Sequence, residues 1–416
     1  MKRGSVLVTG GIAAVAVVAA AVVLWPRDEP DKPVAKPPAP LLKPMKLADQ
    51  PAWHGPGGIM DIEDNGDAIL FTHGDGQLTL IDGKTGANRW SLEKLHDLGD
   101  ARGVIQTFQA GPGERHLVDD GVLVEYEYTA DCTYPENPPR NRGVCDSGPD
   151  DETGVALLSP ADGHVVWRRP VIAPFPDVPY AQRPQQILRA ADDRVAVVTV
   201  TTRLIDPQYD AGTARTVAID VPTGKILWDK PDGTWPMYIV GDTLLGMKSG
   251  EFPGTGPDDP TATVVATNLL TGEKRWERPE SGLMTAAGDV VLVRGNGFPV
   301  LAAATGKELA RFGAVSGCAT DKRTLIACTT PDDSVVVYDV RSGKTTELDA
   351  PPVEAVWDGG RIVVGDHERM WSIDRNGTVI DKDLDLPGET TWHTGHHVLL
   401  EPKSHGAEAI EVYDVS

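Results

Sequence analysis

Four cysteines and a group of histidines are the residues of this 416-residue chain best equipped for chemistry. The cysteines form two local pairs, Cys132/Cys145 and Cys318/Cys328. Zinc favours C-x₂₋₄-C spacing, which neither pair has. In an oxidising compartment such pairs are disulfides. The second pair brackets "ATDKRTLIA", a hairpin that would set its sulfurs on adjacent strands; the first would cinch a polar loop. His393, His396, His397 and His405 gather near the C-terminus, with His54 close by if the chain ends meet. His396 and His397 face opposite ways on a strand, and a metal needs three or four convergent ligands. The reading is therefore surface histidines. The loops "THGDGQ" (72–77) and "DSGPDDETG" (146–154) offer oxygens, but the second lacks the spacing of an EF-hand and both suit solvated turns. No Gly-x-Ser-x-Gly elbow or Walker loop occurs. The expectation is no catalytic residue, no cofactor and no metal, hence no enzyme.

The elements that carry these residues are announced by a repeated phrase. "LTLIDGKTGANRW" (78–90), "TVAIDVPTGKILW" (216–228) and "VVATNLLTGEKRW" (264–276) share one form. An alternating apolar stretch gives a half-buried strand. The Asp or Asn side chain and the Thr-Gly pair then close a hairpin, glycine supplying positive φ. A tryptophan follows four residues after the glycine and offers a flat face plus one N–H that needs a partner. The pattern runs through Gly86, Gly163, Gly224 and Gly272, with Trp90, Trp167, Trp228 and Trp276. It continues through Gly306, Gly343 and Gly377, where Ala310 and Glu347 take the first two tryptophan places and the last turn, "DRNGTVID", is short. A final strand, "AIEVYDVS", stops where its turn should begin. Its return strand is expected from "KLADQPAW" near the start, with Trp53 as the tryptophan. Two further strands separated by Gly-Asp or Asp-Gly turns lie between copies, which makes four strands per repeat of ~40–50 residues. The prediction is all-β: an eight-bladed β-propeller of four-stranded blades, or seven blades if the last unit is incomplete.

These Thr-Gly-x-x-x-Trp repeats, spread over residues 46–416, resemble the PQQ-type β-propeller repeat superfamily, quinoprotein-like and BamB-like. Its quinoprotein dehydrogenases hold their quinone against a vicinal Cys–Cys disulfide and over a tryptophan, with calcium bound by acidic and amide side chains. This chain has no adjacent cysteines, and blade packing accounts for its tryptophans. A PQQ-dependent oxidoreductase thus stands as the alternative, with a ligand-sensing propeller beside it. The envelope-assembly branch of the superfamily implies protein partners.

Lys2 and Arg3 precede an uncharged run from Gly4 to Trp25, long enough to span a bilayer. The flanking charges keep the N-terminus in the cytoplasm and send the rest across. Residues 1–25 read as a membrane anchor or uncleaved signal, 26–45, with seven prolines, as a linker, and 46–416 as the propeller. The net charge of −22 opposes nucleic acid as a partner. A composition rich in Ala, Asp and Arg suits a bacterial source. The expected location is the cell membrane, single-pass, with the propeller extracytoplasmic.

The turn glycines stand 77, 61 and 48 residues apart across the first four copies, then 34, 37 and 34. The extra length falls between second and third strands (127–153, 203–214 and 248–262) and in the connectors 91–103 and 168–185. Both kinds of loop leave a four-stranded blade on one face, with the Thr-Gly hairpins on the other. Long loops on a rigid scaffold are where binding concentrates. Within 168–185, Arg168, Arg169, Phe175, Tyr180 and Arg183 are the candidate contacts for a protein or peptide. The expected function is a non-catalytic protein-binding or scaffolding module of the bacterial cell envelope.

Overall fold

The computed structural model describes residues 51–56, 59–73, 77–92, 103–105, 116–128, 152–172, 185–201, 215–231, 233–248, 262–357, 360–366, 369–381, 388–393, 397–402 and 409–414. All lie in the unit Leu42–Ser416. The predicted anchor and linker, Cys132 and Cys145, and Phe175, Tyr180 and Arg183 fall outside the described residues. Among the described residues every regular element is a strand, and no helix is long and apolar enough to cross a membrane.

The strands form eight antiparallel sheets, the arrangement of an eight-bladed propeller. Blades 1 to 7 occupy residues 59–92, 103–172, 185–230, 235–278, 282–312, 317–348 and 353–381. In blade 2 the inner edge is split into Gly103–Ile105 and Leu117–Val118, both paired with Gly121–Tyr128. Blade 8 takes three strands from residues 388–414 and its outer strand, Trp53–Pro56, from the start of the propeller. Trp53 lies opposite Val412, and the Ala52 N–H donates to the Val412 carbonyl at 2.8 Å. The unit is thus closed by strands from both its ends, which removes two exposed sheet edges.

Each inner strand pair is apolar on both faces because it has a blade on either side. In Val195–Thr201, Ala196 and Val198 join Leu123 and Leu157 of blade 2, while Val195 and Val197 join Leu244 and Leu269 of blade 4. A period of two thus divides one strand between two seams. The same pattern fills the seam of blade 8 with blade 1, around Trp53, Phe71 and Val412, and the remaining seams up to blade 7.

The outer strands carry the tryptophans. Gly86, Gly163, Gly224, Gly272 and Gly306 all have φ between +65° and +74°. A Cβ on Gly306 would come within 2.7 Å of Trp276 Cδ2; on Gly272, within 2.8 Å of Trp228; on Gly224, within 2.6 Å of Trp167. Trp90 covers Gly163 and Trp53 covers Gly86 in the same way. Each tryptophan therefore lies on the hairpin glycine of the next blade. A bulge just before it, with Leu227 as the extra residue in blade 3, turns the ring inward.

Blade 6 departs from the expected register. Its outer strand Lys344–Leu348 has no bulge, so the packing place moves one residue on. Leu348, not Glu347, lies over Gly377, 3.0 Å from where a Cβ would sit, and Glu347 is exposed. In blade 5 the bulge survives and puts Ala310 in the tryptophan place.

A paired substitution separates the two demands on these glycines. Gly241 has φ +56° with open space around its Cα, so Gly241→Ala meets only the backbone cost of about 1–2 kcal/mol. Gly306→Ala carries that cost and must also displace Trp276, adding about 1–3 kcal/mol of overpacking. Urea unfolding is expected to place Gly306→Ala clearly below Gly241→Ala, and equal midpoints would refute the packing role.

Candidate functional site

Two of the five predicted partner contacts are described, and the blade itself uses one of them. The outer strand of blade 2 runs Val165–Ile172, so Arg168 and Arg169 belong to a strand rather than to a connector. Arg169 Nε donates to the Gly224 carbonyl of blade 3 at 2.5 Å. Lys230 makes the same bond to Gly272, and Arg278 to Gly306 at 3.1 Å. Each basic residue stands two places after its tryptophan, whose indole N–H donates to the carbonyl three residues before the same glycine. Those bonds are Trp167 to Val221 at 2.7 Å, Trp228 to Leu269 at 2.7 Å and Trp276 to Ala303 at 2.8 Å. Arg169 is therefore one jaw of an inter-blade clasp. The spacing is legible in "WRR", "WDK" and "WER". Arg168, next along the strand, is exposed.

Strand order fixes where the long segments leave each blade. In an antiparallel four-stranded sheet, the second-to-third connection and the exit to the next blade share one end; the hairpin lies at the other. The segments 129–151, 202–214 and 249–261, and the exits 93–102 and 173–184, therefore all depart from the end opposite the clasps, over blades 1–4. In blades 5 and 6 the matching connections are short, 295–297 and 330–334.

Among the described residues two carboxylate–imidazole pairs lie in the seams, and a third, His164 with Asp162 at 2.6 Å, is exposed at the hairpin of blade 2. At the end of the inner strand Ile59–Asp64, two neighbouring carboxylates point to opposite sides. Glu63 accepts from the backbone N–H groups of His116 and Leu117 in blade 2, at 2.8–2.9 Å, and contacts His116 Nδ1 at 2.8 Å. Asp64 contacts His397 Nδ1 of blade 8 at 2.6 Å. An imidazole oriented by a carboxylate is half of a catalytic triad. Yet His397 is only 4% exposed, with its ring against Trp53 at 6.4 Å between centroids. The expectation of surface histidines fails at His397: a blade seam buries it. His54 is exposed, and His396 and His405 lie outside the described residues.

Other buried charges are likewise internal. Glu125 of blade 2 accepts from the Leu188 N–H of blade 3. In blade 7, Arg361 bonds both Asp381 and Ser372, and Ser372 bonds Asp381 at 2.5 Å. Arg189 lies 3.6 Å from the ring centroid of Trp235, across the inner strands of blades 3 and 4. Among the described residues no three or more His, Cys, Asp or Glu side chains converge as metal ligands. Cys318 and Cys328 form a disulfide between the inner and second strands of blade 6, directly opposite one another.

Glu63 has a defined pH signature. Burial, the largest influence, pushes its carboxyl up, but the His116 bond and charge and two backbone N–H donors together hold it below the usual 4.5. A carboxyl lowered by folding contributes stability that is present above its unfolded value and lost as pH falls through the folded one. The urea midpoint of the wild type is expected to drop below pH ~4.5. Glu63→Gln should start lower at neutral pH and fall less steeply on acidification; parallel pH profiles would remove Glu63 from the seam's energetics.

No protein-family model matches the chain, and no curated protein does. Among solved structures it is similar to BamB from Moraxella catarrhalis, a PQQ-like β-propeller, at 18% identity, over 76% of this chain and 80% of that one, with a TM-score of 0.35.

Proposed function

We propose that this chain is a membrane-anchored, extracytoplasmic propeller that binds other cell-envelope proteins or peptides without catalysis. One observation carries the reading. Five long segments all leave blades 1–4 from the end that takes no part in the clasps, so they extend without loosening the ring. The uncharged run Gly4–Trp25 and the Cys318–Cys328 disulfide support export with a retained anchor. The clasp and seam geometry narrows the contact surface: Arg169 leaves it, and the segment 173–184, with Phe175, Tyr180 and Arg183, becomes its candidate centre.

The test replaces 173–184 with a Gly/Ser segment of equal length and leaves Val165–Ile172 intact. Affinity capture from membranes is expected to lose specific partners while the melting temperature holds; an unchanged set of partners would refute the loop-face reading. Deleting residues 1–25 should release the protein from membranes that otherwise retain it through alkaline carbonate washing. Added quinone or Ca²⁺ is expected to leave the melting temperature unmoved, and a rise of several degrees would favour a quinoprotein-like enzyme instead.

A further inference from the structure

We propose that the hairpin end of blade 6 is a docking site for an acidic polypeptide segment of a partner protein. This surface lies at the opposite end of the blades from the long loops and does not depend on them. Acidic residues outnumber basic ones by 61 to 39, so an exposed cation ordinarily has a carboxylate at hand. At several places on the surface that holds: Arg194 pairs with Asp192 and Asp242, Arg215 with Asp229, Lys274 with Glu277 and Arg311 with Glu308. Lys225 and Lys307 stand singly at the hairpins of blades 3 and 5 without an ion pair among the described residues. At blade 6 such cations stand together. Lys322, Arg323 and Lys344 are exposed without an ion pair among the described residues, and Arg341 is exposed between them.

The turns that carry these cations are tied together. The Val340 N–H donates to the Thr324 carbonyl at 2.9 Å, joining the two turns of blade 6. The Gly288 N–H of blade 5 donates to the Lys322 carbonyl at 3.0 Å. Two of the carboxylates nearby are occupied by their own turns, and a third, Asp289 beside Gly288, is exposed. Asp321 is buried and accepts from the N–H groups of Arg323, Thr324 and Leu325. Asp339 accepts from the N–H groups of Arg341 and Ser342 and pairs with Arg375 at 2.5 Å. Asp321 and Asp339 thus serve the turns while the cations face solvent.

Lys322 supplies a second, independent observation. Its φ is +60°, a conformation that favours glycine. The matching turns of blades 4 and 5 fill their positive-φ place with Gly241 and Gly288, so blade 6 holds a cation where glycine would sit without strain. Among the described non-glycine residues only Asp333, in the 330–334 connection at the other end of blade 6, shares this conformation, and strain of this kind clusters at binding sites.

The footprint selects the occupant. The matching turns of blades 2 and 3 carry Asp119, Asp120 and Asp193, which would meet and repel any broad anionic plane pressed on this end. A single extended acidic stretch covers the turns of blade 6 alone. Arginine's planar fork matches a carboxylate, and lysine adds a mobile point charge. With screening over ~8 Å at physiological salt, the local cations rather than the net charge decide the contact.

The test titrates a fluorescein-labelled hexaglutamate peptide into the full chain and reads anisotropy. Saturable binding that weakens with salt is expected, reduced about tenfold or more by Lys322→Glu/Arg323→Glu. Lys225→Glu, an exposed cation at the hairpin of blade 3, should leave it unchanged. Lys322→Gly relieves the backbone strain, so it should keep or raise the melting temperature while weakening binding. The proposal falls if the wild type does not bind the peptide, or if Lys225→Glu matches the double variant. It also falls if these substitutions abolish binding to phosphatidylglycerol vesicles and leave peptide binding intact.

Discussion

The ring rests on a tryptophan from one blade lying against a glycine of the next. The contact makes two demands on one residue. The hairpin needs a positive φ, and the indole needs the space a Cβ would fill; glycine meets both. A four-stranded sheet of this size cannot bury both its faces alone, so the contact is where one blade's stability comes to depend on its neighbour. It also has a direction, because the outer strand of each blade holds the hairpin of the following one. Such a series leaves the first hairpin uncovered unless the last blade receives an outer strand. Trp53–Pro56 meets that need: Trp53 covers Gly86 while its strand pairs with Ala409–Asp414. The direction of the contact therefore accounts for why the strand preceding blade 1 is built into blade 8.

The seams are not all held alike. From blade 2 to blade 5 the clasp is complete, with an indole bond and a basic side chain on the glycine carbonyl. At the two seams of blade 1 it is not. The indole N–H groups of Trp53 and Trp90 are buried without an acceptor among the described residues, and Gly55 and Leu92 stand where the basic residue would be. Those are the seams that contain a histidine–carboxylate pair, from the adjacent residues Glu63 and Asp64. A charged hydrogen bond contributes more than a neutral one and costs more when one partner is removed. Both seams of blade 1, where the ring closes, thus rest on a carboxylate whose removal would strand a histidine partner.

Much of this was written locally and repeatedly, which is why it could be read. Seven copies of a turn glycine place the hairpins, and the truncated last strand points to the start of the chain for its partner. Cys318 and Cys328 are close in sequence, so the strand pairing that joins them could be read from the hairpin between them. What escaped was of two kinds. The missing bulge in blade 6 shifts Leu348 into Glu347's place and leaves no trace in composition. The pairing of His397 with Asp64 spans 333 residues and closes the ring, and a histidine among polar neighbours carries no mark of it. Arg169 differs from both. Its role was visible in three repeated W-x-basic triplets, but next to prolines and aromatics it read as the start of a binding loop.

Where the chain can bind follows from where it must hold. The clasp is made at the hairpin end, so connections at the other end are free to lengthen, and over blades 1–4 they do. Blade 6 is the exception that obeys the same rule. With Ala310 in the tryptophan place, Gly343 has no ring over it; the nearest atom to a Cβ there is the Tyr338 hydroxyl, 3.9 Å away. Of the hairpins of blades 1–7, this is the one the preceding outer strand leaves open, and at its end Lys322, Arg323 and Lys344 are exposed together without an ion pair among the described residues. Both candidate binding surfaces thus lie where the clasp is absent: one at the end it never occupies, the other at a hairpin left with neither ring nor clasp.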